Sequence, residues 1–149
     1  MNKSFRGLIT DGEQQEIRLS TNNGLTGYKI VIFQVLPTNT TSGTNEAMVS
    51  IWKSAQDSAP QDVEFSSPLL IGAAFYLRDQ ATVASTSETI IFDNETFNQN
   101  IFVNYSDAQG STGVMNYYIE LEQVTLSKDE ATVATLKDMR AGPDTNFGP

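Results

Sequence analysis

Across residues 114–126 the side chains alternate in kind with a period of two. Met115, Tyr117, Ile119 and Leu121 fall on one side; Asn116, Tyr118, Glu120 and Glu122 fall on the other. A helix would scatter both sets around its circumference, whereas an extended strand keeps each set on its own face. A strand with one apolar and one polar face needs a second layer over the apolar face. This segment therefore commits the chain to a sheet packed against something else. After Gln123 the apolar phase moves to Val124 and Leu126, which predicts a bulge that restores the inward direction.

The rest of the chain supplies the other strands. Residues 5–9 read as a short strand stopped by Thr10-Asp11-Gly12. Asp-Gly signals a hairpin because both residues tolerate positive φ. Ile17-Arg18-Leu19 follows, then a turn at Asn22-Asn23-Gly24. Residues 28–36 are apolar on both faces: Tyr28, Ile30, Ile32 and Leu36 on one, Val31, Phe33 and Val35 on the other. That is the pattern of a central strand covered on both sides. Further strands are predicted at 47–52, 63–65, 69–77, 89–92 and 100–105, separated by polar loops that include 38–45, 54–60, 78–88 and 107–113. Gly72-Ala73-Ala74 marks a bulge or a close backbone approach. Eight or nine short strands at this spacing predict an all-β chain, a single antiparallel β-sandwich or jelly-roll-like domain over residues 1–126.

Residues 127–149 read differently, as a short C-terminal helix and an extended tail. Ser127-Lys128-Asp129-Glu130 is a capping box, with Glu130 three residues after the N-cap serine. Asp129 and Glu130 lie at the positive end of the helix dipole and Lys137 and Arg140 at the negative end. Ala131, Ala134, Leu136 and Met139 make a modest apolar stripe, and Gly142-Pro143 stops the helix. If Leu136 and Met139 pack on the chain's own sheet, the helix is a lid; if they are exposed, it is a docking element.

Composition narrows the chemistry. The chain has 149 residues with no cysteine and no histidine, which removes disulfides, thiolate metal sites, Ser-His-Asp triads and the commonest general base. A formal net charge of -9 disfavours a phosphate backbone as partner, so no nucleic acid is expected. No apolar run approaches the roughly 20 residues of a membrane span, and the first residues do not read as a secretory signal. Glu120 and Glu122 share one strand face and read as solvated; Asp57 and Asp93-Asn94-Glu95 are loop oxygens without a calcium-loop pattern. No phosphate-cradling glycine motif occurs, so neither cofactor, metal nor enzymatic activity is expected. The exposed-aromatic candidates are Trp52, Phe102 and Tyr118, which sit either on a second buried sheet face or under loop cover, or else form an exposed patch for a protein partner or a carbohydrate. With Phe5, Leu8, Leu136, Met139 and Phe147 they make up the predicted interface residues.

Three strings are distinctive beyond their chemistry: Arg6-Gly7-Leu8-Ile9-Thr10-Asp11-Gly12, Phe92-Asp93-Asn94, and the run Glu130-Ala131-Thr132-Val133-Ala134-Thr135-Leu136-Lys137. With the segments around them, from residue 5 to residue 140, they resemble small virion structural proteins of marine tailed phages, cyanophages among them. The resemblance implies a particle component with no catalytic residues to carry over. The role it implies first is a capsid decoration or cement protein that binds the major capsid protein or other virion proteins. Self-association into a homo-oligomer and assembly into the virion in the host cytoplasm follow as expectations. The alternatives are a structural protein of the tail, neck or an appendage, acting in adaptor or host-adhesion roles, and more remotely a carbohydrate-binding module.

Overall fold

The computed structural model describes residues 2–21, 23–38, 44–79, 84–92, 95–108 and 114–141. Among them lie eight strands and one helix: β1 Asn2–Thr10, β2 Gln14–Ile17, β3 Thr26–Pro37, β4 Asn45–Trp52, β5 Leu70–Asp79, β6 Ala84–Ile91, β7 Ile101–Asp107, β8 Val114–Thr125 and α1 Lys128–Ala141. The predicted stop at Gly142-Pro143 and the tail beyond it lie outside the described residues, as does Asn22 of the predicted turn. The strands form two antiparallel sheets, ordered β1-β8-β3 and β2-β7-β4-β5-β6. Their inner faces meet in one core, a β-sandwich.

β8 organises the narrower sheet, pairing with β1 from Asn2↔Glu122 to Thr10↔Val114 and with β3 on its other side. Its alternation is realised as predicted: Met115, Tyr117, Ile119 and Leu121 are buried. They meet Tyr28, Ile30, Phe33 and Val35 of β3, and Ala47, Val49, Ile51, Ile101, Val103 and Tyr105 of the wider sheet. Successive strands change sheet from β1 to β4 and again from β7 to β8, the wrapped path of a jelly roll. β6 departs from that path. A jelly roll would seat it beside β3; here it forms a hairpin with β5, from Gly72↔Ile91 to Asp79↔Ala84.

Several expectations are corrected. β3 is an edge strand of a three-stranded sheet, and Ile32 and Leu36 are exposed on its outer side with Val31. A bulge between Ile30 and Ile32 shifts the phase, so Phe33 and Val35 point inward in place of Ile32. Apolar residues on both faces therefore mean a bulge and an open outer face. The predicted bulge after Gln123 is absent, since β8 keeps its register to Thr125. Val124 and Leu126 change phase because they pack with Leu25 against α1. The Asp11-Gly12 turn exists, with Gly12 at φ 84° and a Glu13 N–H···O=C Thr10 bond of 2.9 Å. It carries the chain between sheets, so no β1–β2 hairpin forms. Residues 63–65 are not a strand, and residues 84–88 of the predicted loop belong to β6. The Gly72-Ala73-Ala74 expectation holds as a bulge, since the β4–β5 register slips between Ile51↔Gly72 and Trp52↔Leu70.

The two faces of the β1-β8-β3 sheet predict opposite responses to truncation. Ile119 is 0% exposed, so Ile119→Ala is expected to lower the unfolding free energy by about 2–5 kcal/mol in urea titration. Leu36→Ala, on the outer face, changes it by less than about 0.5 kcal/mol. Equal losses would contradict the assignment of the faces.

Candidate interaction surface

The outer face of the β1-β8-β3 sheet is built from cross-strand rows. Leu8, Asn116 and Leu36 stand abreast; Arg6, Tyr118 and Gln34 form the next row, and Ser4, Glu120 and Ile32 the third. Directly opposite side chains in such rows lie about 4.5–5.5 Å apart and act together. The face divides into two halves. At one end Asn2 Nδ2 donates to Glu120 Oε2 (2.9 Å), the Tyr118 hydroxyl donates to Glu120 Oε1 (3.2 Å), and Lys29 lies 3.4 Å from Glu122. At the other end Leu8 (55% exposed) and Leu36 (66% exposed) flank a groove of about 580 Å³ that Arg6, Gln34, Asn116 and Tyr118 also line. The wet half is self-satisfied; the apolar half is open.

The other predicted interface residues are dispersed. Trp52 is buried at 3% exposure: residues 53–69 fold over it, Leu69 and Leu70 pack on it, and its Nε1–H donates to Ser50 Oγ at 2.7 Å. It is core, as the loop-cover reading had it, and so it is corrected as an interface residue. Phe102 is half-buried beside it on β7. Phe5 turns inward and packs against the main core. Leu8 and Tyr118 share the groove. Leu136 is 53% exposed on α1, at the lip of a second hollow that Asn23, Leu25, Ala131 and Thr135 line. The Met139 side chain and all of Phe147 lie outside the described residues. The sequence concealed Leu36 and Ile32, because the bulge that turns them outward has no glycine or proline to announce it.

α1 starts as its capping box dictates. Ser127 N–H donates to Glu130 Oε1 (3.1 Å) and Glu130 N–H donates to Ser127 Oγ (3.2 Å). Ala131 and Ala134 face Leu126, Leu25 and Val124. Asn98, wholly buried, ties the helix down: its Nδ2 donates to Thr135 Oγ1 (2.7 Å), to the Gly24 carbonyl (3.0 Å) and to the Ala131 carbonyl (3.3 Å). The helix is thus fastened to the sandwich and still shows Val133 and Leu136 to solvent.

Several titratable groups are engaged structurally. Asp107, buried, accepts from the Tyr105 hydroxyl (3.2 Å), Asn45 Nδ2 (3.3 Å) and Glu46 N–H (3.1 Å), while its own N–H donates to Asp11 Oδ1 (2.8 Å). Burial, then the nearby Asp107 and Asp11 carboxylates, push the Tyr105 phenol well above its usual range. Burial, with Glu13 as the lesser cause, raises Tyr117. Of the loop oxygens considered for calcium, Glu95 takes an ion pair with Lys53 at 2.8 Å, and Asp93 and Asn94 lie outside the described residues. Among the described residues no group of three His, Cys, Asp or Glu side chains converges on a point that could hold a metal. Glu120 and Glu122 lie two apart on an open face and do not oppose one another across a cleft. The chain matches no protein-family model and no curated protein.

Asn98→Ala leaves the helix without these polar anchors and is expected to cost about 1–3 kcal/mol of stability, with faster amide exchange in α1. Unchanged exchange would rule out the anchoring role. Backbone N–H bonds from Thr10 and Ser127 hold the Glu13 and Glu130 carboxyls below their ordinary 4.5. A depressed folded value means a contribution that is present above about pH 4.5 and lost as pH falls through the lowered values. The stability difference between the parent and Glu13→Ala/Glu130→Ala should therefore be full at neutral pH and shrink in acid. A difference independent of pH would contradict it.

Proposed function

We propose that this chain is a structural binding protein that works through surface contact, and, on the resemblance set out above, that its setting is the particle of a tailed phage, as a capsid decoration protein. The observation that supports a contact role is the open apolar half of the outer face, with Leu8 and Leu36 more than half exposed around Tyr118 and Arg6. Burying one such leucine against a partner contributes about 1.5–3 kcal/mol, and many copies on one particle multiply weak contacts through avidity. Arg6 beside the groove supplies one charge that orients an acidic partner group. The absence of histidine and cysteine from the sequence leaves few residues for nucleophilic or acid–base chemistry. The acidic surface suits a position away from packaged DNA.

The test uses tailed-phage particles that carry the chain, stripped of it and then incubated with it again. The parent chain is expected to rebind and to raise the thermal and osmotic stability of the particle. Leu8→Glu/Leu36→Glu is expected to rebind at least about tenfold more weakly, since each change removes apolar burial and adds a desolvated charge. Full rebinding of the double variant would discard this face as the contact surface. Stripped particles of unaltered stability would discard decoration, and labelling of the tail or neck would move the protein there.

A further inference from the structure

The sandwich has four edge strands, and three carry recognised defences against pairing with another chain. β1 bears Lys3 and Arg6, and Gln15 Nε2 occupies its Leu8 carbonyl. β2 has only four residues, and Gln14 Oε1 accepts from the Gln56 N–H. β3 is bulged, ends in Pro37, and is bridged at Tyr28 by Phe97. β6 carries a single charge, Glu88, and none of the other devices. Its eight residues, Ala-Ser-Thr-Ser-Glu-Thr-Ile-Ile, contain no proline, lysine or arginine, and the register with β5 is continuous. Every residue from 84 to 90 is exposed, and among the described residues β5 is the only strand that hydrogen-bonds it. Serine, threonine and isoleucine suit an extended strand with one side of its hydrogen-bonding ladder still to be filled.

We propose that β6 is a dimerisation edge: two copies join antiparallel through residues 84–90, about a two-fold axis at Ser87, so that two five-stranded sheets become one of ten strands. The occupant is a second copy because the strand is complementary to itself in one register. A two-fold axis perpendicular to the sheet keeps each face on its own side, so even-numbered residues meet even-numbered ones and odd meet odd. Two such registers align seven residues. One centres on Glu88 and sets the strand's only charge against its own copy, which is destabilising. The other centres on Ser87 and places Glu88 opposite Thr86, Ser85 opposite Thr89, and Ile90 opposite Ala84, whose small side chain leaves room for it. Ile90 (40% exposed), Leu77 (41%) and Phe65 (58%) border this edge, so pairing also extends an apolar strip across the junction. Such a dimer needs only the edge and its register, and stands whether or not the chain is a particle component.

The chain has no cysteine, so any disulfide reports an introduced one. The intact chain is expected to sediment as a dimer, and Ser87→Lys, which opposes two like charges at the axis, is expected to weaken dimerisation at least about tenfold with an unchanged circular dichroism spectrum. Ser87→Cys places two Cβ atoms about 4.5–5.5 Å apart and should cross-link on mild oxidation. Thr89→Cys, four residues out of register and about 13 Å from its copy, should not. A monomer at all concentrations overturns the proposal. So does a dimer in which Cys at 87 does not cross-link, or one in which both positions cross-link equally.

Discussion

A three-stranded sheet cannot cover a five-stranded one. With strands about 4.8 Å apart, the wider sheet exceeds the narrower by roughly 10 Å, and the rest of the molecule answers that shortfall. Over the shared width, β8 supplies a continuous buried row, and Tyr117 adds a hydroxyl bond to Gln15 Oε1 (2.8 Å) that draws β2 under β1. On the far face of the wider sheet, residues 53–69 bury Trp52 with Leu69 and Leu70. The shortfall is left open at β6, whose residues are exposed on both faces up to Ile90. The displacement of that one strand from its jelly-roll place leaves β3 as an edge and makes the narrower sheet narrow.

What the sequence disclosed follows from the same geometry. β8 was legible because one face is packed and the other wet, so its pattern reports its surroundings directly. The capping box was legible because it is a local exchange of two hydrogen bonds, realised in Ser127 and Glu130 without reference to the rest of the chain. β6 was legible only from Thr89 on, where it turns β-branched: a strand exposed on both faces has no alternation to show, and its small polar side chains over residues 84–88 read as loop. β3 misled in the opposite sense, since apolar residues on both faces describe a covered strand or a bulged edge equally well. The Asp11-Gly12 turn shows a third limit, because turn chemistry fixes a local reversal and leaves open which sheet the next strand joins.

The candidate surface was half legible for a related reason. Leu8 and Tyr118 sit on strands whose alternation assigns their face correctly, and they meet in the groove. Trp52 sits on a strand whose outer face is covered by the loop that follows it, and strand parity carries no information about a loop. Leu36 reaches the surface through a bulge earlier in the same strand. Each error arises where a bulge or a covering loop overrides a periodicity that is sound in itself.

The helix is seated on the chain's own sandwich and still leaves Leu136 exposed, so it meets part of each description. An amphipathic helix normally sends its large apolar residues inward. Here, among the described side chains, the apolar residues facing the sandwich are Ala131 and Ala134, and the larger Val133 and Leu136 face out. Two alanines bury little area, so along residues 128–137 hydrophobic burial alone holds α1 weakly. Asn98 makes up the difference, since its amide, wholly buried, has no solvent to return to and its bonds to Thr135 and Ala131 form only when the helix is seated. Small side chains let the backbone come close enough for that amide to reach a helical carbonyl. The attachment therefore consumes little of the helix's apolar surface, and what is left faces outward in a fixed orientation relative to the sheet.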